Sequence, residues 1–143
     1  MMIKKNTMLL ILALACFFIN SCSESLQPED CMNYDYSDCN TLEPELGALH
    51  VKLTINAENP YIPVSIYEGN AEDSLMVLSD TVMSAQSSYL LVPDKYYTVV
   101  AKYKSGNNII YAFDGDRVKK IQEVICDSIC WSVDEGNVNV ELK

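Results

Sequence analysis

The residues able to do chemistry in this chain are few, and their spacing limits what they can do. His50 is the whole supply of imidazole in 143 residues. A Ser-His-Asp or Cys-His apparatus would need it as the base, yet no G-x-S-x-G elbow accompanies it. It sits between Leu49 and Val51, on the polar side of an alternating run. A single imidazole also excludes metal centres built on several histidines. Asp114-Gly115-Asp116 offers carboxylates of the calcium-binding kind, but the further acids and terminal glutamate of a calcium loop are missing. Asp114-Gly115 is therefore read as a turn between two strands. The five glycines form no phosphate-cradling loop. Paired carboxylates of the glycosidase type need a cleft that a chain of this length seldom encloses. The expectation is a non-enzymatic protein without cofactor or metal.

The first 22 residues carry a different kind of information. Lys4 and Lys5 form a basic start, and Met8 to Ile19 is an unbroken apolar run of 12 residues. Asn20, Ser21 and Cys22 close it. This is the three-part layout of a secretory signal. A bilayer-spanning helix needs about 20 apolar residues, so the run is too short to span. Ile19-Asn20-Ser21-Cys22 resembles the lipobox of bacterial lipoproteins, with an aliphatic residue three before the cysteine and a small one directly before it. Cys16 follows Ala13-Leu14-Ala15 and competes for processing. Cutting there would truncate the apolar run and leave Phe17-Phe18-Ile19 beside the anchor. Cys22 is the expected lipidation site. The resemblance implies at least two acyl chains of the palmitate class, and two or more anchor stably where one does not. The membrane is thus the first expected partner, and the address is the cell envelope. There the chain would be an outer-membrane lipoprotein, periplasmic or surface-exposed.

With Cys22 lipidated, Cys31, Cys39, Cys126 and Cys130 remain, an even set for an oxidising compartment. The local pairing joins Cys31 to Cys39 and Cys126 to Cys130. Residues four apart in an extended strand lie roughly 13 Å apart, and a disulfide needs Cα atoms within about 7 Å. Cys126 to Cys130 must therefore turn, for which Asp127-Ser128 is suitable. The alternative joins Cys31 and Cys39 to Cys126 and Cys130, stapling the N-terminal segment to a late strand. The local pairing is narrowly preferred. C-x7-C and C-x3-C miss the close ligand pairs of a zinc site.

The mature chain from Cys22 has 122 residues, enough for one core. It holds 8 basic against 20 acidic residues, a net charge of −12 compared with −10 for the full chain. Such a surface repels phosphate backbones, so nucleic acid is excluded as a partner. The expected organisation is a signal peptide over 1–21, a flexible acidic tether with a disulfide loop over 22–46, and a folded domain over 47–143.

The elements follow from alternation. Leu49, Val51, Leu53 and Ile55 share one face of a first strand, with His50, Lys52 and Thr54 opposite. A second strand, Ile62 to Tyr67, turns Ile62, Val64 and Ile66 inward, and Pro63 marks it as an edge or a strand start. The third is Leu75 to Thr81, with Leu75 and Val77 on one side. Ser88 to Val92 is the fourth and the tyrosine- and valine-rich Tyr96 to Tyr103 the fifth. Ser105-Gly106-Asn107-Asn108 is a hairpin connection. Ile109 to Phe113 and Val118 to Ile125 are two further strands around the Asp114-Gly115 turn. Asn137 to Leu142 is the last, with Val138, Val140 and Leu142 inward. No long apolar period near 3.6 appears, so the fold class is all-β, a single Greek-key sandwich of the immunoglobulin-like or transthyretin-like kind with about seven or eight strands.

Ile62 to Gly69, Tyr89 to Val92 and Tyr97 to Tyr103 together resemble the transthyretin-like, carboxypeptidase-regulatory type of sandwich. The match covers about half of the mature chain, and Asp94-Lys95 stands where those domains carry a glycine. With the anchor and the acidic stretch, the whole resembles small surface lipoproteins of Bacteroidetes. That resemblance implies membership in a fimbrial or nutrient-uptake assembly. The nine tyrosines and one tryptophan suit contact with a protein or a sugar when exposed. Tyr97 and Tyr103, which share a face of the fifth strand, and Trp131, next to Cys130, are the ligand-binding candidates. The expected function is a binding or structural component of a surface assembly with an envelope protein partner. A glycan-binding module is the alternative.

Overall fold

The computed structural model describes residues 31–72 and 75–143. The expected signal peptide, lipidation at Cys22 and the first part of the tether lie outside the described residues. The chain divides into two compact units, Met1–Tyr34 and Asp35–Lys143. The second holds eight strands: β1 (Gly47–Lys52), β2 (Ile62–Glu68), β3 (Leu75–Val82), β4 (Gln86–Leu91), β5 (Lys95–Ser105), β6 (Asn108–Ile125), β7 (Ser128–Asp134) and β8 (Gly136–Asn139). They form a three-stranded sheet in the order β4-β1-β8 and a five-stranded sheet in the order β3-β2-β5-β6-β7. The all-β sandwich expected from alternation is the fold. A 3-10 turn, Tyr36–Asp38, precedes the strands and is capped by the Asp35 carboxylate, which accepts the Ser37 N–H at 2.9 Å.

The core is what the alternation demanded. Leu49, Val51, Leu53, Ile62, Val64 and Ile66 are buried to within 1 %. Val99, Ala101, Val118, Val138 and Val140 close the space between the sheets. Fully burying a side chain of the valine, leucine or isoleucine class is worth roughly 1.5–3 kcal/mol. The inward set is therefore what holds two otherwise polar sheets together. Pro63 stands in an interior strand, but only beside Thr81 of β3; pairing with β5 begins one residue later, at Val64. β2 thus starts where its missing N–H is harmless. Gly106 has φ 60° and opens the two-residue turn from Ser105 to Asn108, where a first central glycine suits the type II′ turn.

Two expectations about the strands are corrected. Leu75 and Val77 are exposed, because the β3 residues opposite the buried Ile62, Val64 and Ile66 are Val82, Asp80 and Leu78; of the described apolar residues of β3, Leu78 and Val82 reach the core. Asp114-Gly115 is no turn. β6 runs through it for 18 residues, paired with β5 up to Val118 and with β7 from Lys119.

The reason is a corner between the sheets. Asp134 is the last β7 residue paired with β6, and Gly136 is the first β8 residue paired with β1. The chain changes sheets across Glu135 alone. Past that corner β6 has no strand partner on the side away from β5, and there its aspartates take over. Asp116 Oδ2 accepts the Asn137 N–H at 2.7 Å and Asp114 Oδ2 accepts the Asn139 N–H at 2.8 Å. Gly136 must be small here, since a Cβ would stand 2.6 Å from Leu49 Cδ1.

Candidate functional site

The alternation that buries Val99, Ala101 and Tyr103 of β5 turns Tyr96, Thr98, Val100, Lys102 and Lys104 to the opposite, outer face. The Ser105–Asn108 turn fixes the register, and each of these faces a residue of β6. Tyr96 lies opposite Arg117, Thr98 opposite Gly115 and Val100 opposite Phe113. Lys102 lies opposite Tyr111 and Lys104 opposite Ile109. β2 adds Ser65 and Tyr67 beside them. The result is an aromatic and aliphatic strip on a three-strand platform. Phe113 is 76 % exposed and Tyr111 58 %. Contiguous exposed apolar surface of this kind marks interaction sites on soluble domains.

At one end the strip deepens into a cleft of about 460 Å³ lined by Asn70, Glu72, Tyr96, Thr98, Phe113 and Gly115, among others. The segment after β2 makes its wall and is pinned in two places. The Gly69 N–H donates to the Tyr96 carbonyl at 2.8 Å, and the Thr98 hydroxyl donates to the Gly69 carbonyl at 2.6 Å. Gly69 adopts φ 84°, a conformation that favours glycine. The floor stays open because residue 115 has no side chain: a Cβ there would stand 2.5 Å from the Tyr96 hydroxyl and 2.7 Å from the Tyr97 carbonyl.

The residues singled out in the sequence fall elsewhere. Tyr97 and Tyr103 do share a face, but it is the core face. They are 2 % and 0 % exposed, so neither ring is available to a ligand. Their hydroxyls donate to the Val92 carbonyl at 2.7 Å and the Val140 carbonyl at 2.8 Å. Tyr103 also accepts the Thr54 N–H at 3.2 Å. Burial raises the pKa of both phenols. Trp131 is half-buried on β7, its backbone bridged to Asn40. Neighbouring residues of a strand point to opposite faces, so its ring turns away from the sulfur of Cys130. The ring lies instead under the Lys120 ammonium, 5.9 Å from its centroid, a cation–π arrangement. Lys120 also pairs with Glu43 and Asp94, and the hydrogen bond to Glu43 is the main reason its pKa is raised. His50 is paired with Glu135 at 2.7 Å on the exposed side of β1.

Cys39 is bonded to Cys130, which rules out both local pairs and corrects the preferred connectivity. Cys31 and Cys126 are disulfide-bonded as well. The hairpin between β6 and β7 turns on Cys126 (φ 56°) and Asp127 rather than on Asp127-Ser128, which leaves Ser128 paired with Ile125 and carries Cys130 into the strand toward Asn40 and Cys39. Among the described residues, no group of three or more histidines, cysteines or carboxylates is placed to hold a metal ion. No described helix is long and apolar enough to cross a membrane.

The strip on β5 and β6 was missed because its signal is divided between two strands. Ile109, Tyr111 and Phe113 alternate visibly, but so does any half-buried strand. Only the register of the hairpin reveals that this alternation points away from the core.

Compared with known protein families, with curated proteins and with solved structures, the chain matches none.

Proposed function

We propose that this chain is a cell-envelope lipoprotein, held to a membrane by acyl chains on Cys22, that acts as a non-enzymatic binding component of a surface assembly. It docks a protein partner on the outer face of its five-stranded sheet. The observation that carries this reading is the exposed strip led by Phe113 and Tyr111 on a rigid hairpin. Aromatic side chains clustered on a stable platform are the usual anchors of protein interfaces. The basic start, short apolar run and terminal cysteine of the first 22 residues support the anchoring.

A photo-crosslinker at position 111, introduced in intact source cells, tests the docking. One discrete protein adduct is expected, lost in Phe113→Asp and absent when the crosslinker stands at Lys52 on the other sheet. Equal labelling from both positions, or none from 111, would refute it. Mass spectrometry of the membrane-extracted protein tests the anchor, and a soluble product beginning at another residue would remove it.

A glycan-binding module is the second reading, favoured by the cleft in which Tyr96 and Phe113 flank Thr98 and Gly115. Aromatic rings beside hydroxyl and amide groups are the chemistry that holds sugars. A glycan array with no hits that depend on Tyr96 would dispose of it.

A further inference from the structure

We infer that the surface that docks on this face is acidic around its apolar centre; the inference rests on the docking reading above. The chain has 20 acidic residues against 10 basic ones, yet no outer-face position of β2, β5 or residues 108–117 of β6 carries a carboxylate. Three of those positions are cationic instead: Lys102, Lys104 and Arg117, all exposed.

Their pairing sets them apart. Lys95, Lys119 and Lys120 are each held by a carboxylate. Among the described residues no ion pair involves Lys102, Lys104 or Arg117. The other described cations without an ion pair, Lys52 and Lys143, lie on β1 and at position 143. Among the described residues, carboxylates near the strip stand at its margins, with Glu72 in the wall of the cleft and Glu58 bound to the Gly106 N–H at 2.5 Å.

Such a distribution selects orientation. An acidic partner is repelled by most of this molecule and accepted on one face, where the cations flank the apolar strip. Charge complementarity of this kind steers encounter and suppresses wrong registers. A basic partner would meet the reverse, attraction everywhere except at the strip.

The test is an NMR titration of the isotope-labelled full chain in a zwitterionic detergent. The probes are the peptide Ac-Glu-Phe-Glu-Phe-Glu-amide and its counterpart with lysine for glutamate. The acidic peptide should perturb the amides of Lys102, Tyr111 and Phe113 at a concentration about tenfold lower than the basic one. The preference should vanish in high salt. It should invert in the exposed double variant Lys102→Glu, Lys104→Glu and survive in Lys52→Glu. Equal response to both peptides, a preference for the basic one, or no response to either would overturn the inference. So would shifts of these amides by phosphatidylglycerol vesicles or a neutral oligosaccharide but by neither peptide. If the adduct formed at position 111 persists in the double variant, the docking reading stands and the acidic partner falls.

Discussion

Asp114 and Asn139 are joined by a carboxylate where a sheet would use a carbonyl: Asp114 Oδ2 accepts the Asn139 N–H at 2.8 Å. Asp116 repeats the bond two residues along, to Asn137. The other oxygen of each aspartate accepts the N–H of the next residue in β6, Gly115 and Arg117. An Asp-Gly-Asp run that looks like a turn or a calcium loop is a row of side-chain acceptors stitching one sheet to the other.

Hydrogen bonds to charged groups contribute about 1.5–3 kcal/mol each. Asp116→Ala should therefore lower unfolding stability by about that amount, and Asp114→Ala similarly. Asp→Asn at either position keeps an acceptor and should cost less. Denaturant titration of the four variants reads the order directly. Stability unchanged in both alanine variants would mean that β8 is held by its pairing with β1 alone.

Gly115→Ala places a methyl group against the Tyr96 hydroxyl and the Tyr97 carbonyl. The first can move and the second is backbone. A loss of about 1–3 kcal/mol is expected, in the range of overpacked sites. Adding Tyr96→Phe should restore only part of it, because the carbonyl contact remains. Thermal melts of the single and double variants measure both. Full restoration would place the whole strain on the hydroxyl.

Burial is the largest cause raising the pKa of Tyr89, Tyr97 and Tyr103. An unfolded chain ionises these phenols near the ordinary value of about 10, the folded one only above it. Their contribution to stability is full below about pH 10 and is lost as pH rises through the raised folded values. Phenolate absorbance should therefore climb in two stages, exposed rings first and the buried three together with loss of the β-sheet circular dichroism signal. A complete tyrosine titration with that signal intact would contradict the assignment.

Cys39 and Cys130 are 91 residues apart in sequence. In the chain-entropy view, closing a loop of that size in an uncrosslinked chain stabilises by about 4–5 kcal/mol; with Cys31 and Cys126 still bonded, losing this bond alone should cost about 2–3 kcal/mol. Cys39→Ser with Cys130→Ser should lower the melting temperature by about 10–20 °C for a domain of this size, at roughly 4–8 °C per kcal/mol. Proteolysis without reduction should release a Cys39–Cys130 crosslinked peptide and none joining Cys31 to Cys39.

Much of the sandwich was legible because burial imposes a period of two that needs no knowledge of partners. Leu49, Val51 and Leu53 announce their face unaided. The failures share a cause. Asp114-Gly115 reads as a turn on local chemistry, and the N–H groups that occupy its aspartates come more than 20 residues later. Leu75 and Val77 alternate like core residues, but the register gives the core face to Leu78 and Val82, opposite Ile66 and Ile62. Tyr97 and Tyr103 were candidates for their chemical type, and type does not say which side of a strand faces inward. The charge pattern of the outer face needed two strands in register before it could be seen.

The bond between Cys39 and Cys130 also decides how the domain carries tension. A pull on residues 35–38, directly ahead of Cys39, does not reach β1, which begins at Gly47. It passes through the sulfurs into β7. Residues 40–129 become a closed loop that no force along the backbone can unspool. A load between residues 35–38 and the outer face of β6 runs from β7 into β6 through the pairs from Lys119 to Ile125. A domain wired in this way meets such a load with the seven residue pairs from Lys119 to Ile125 at once.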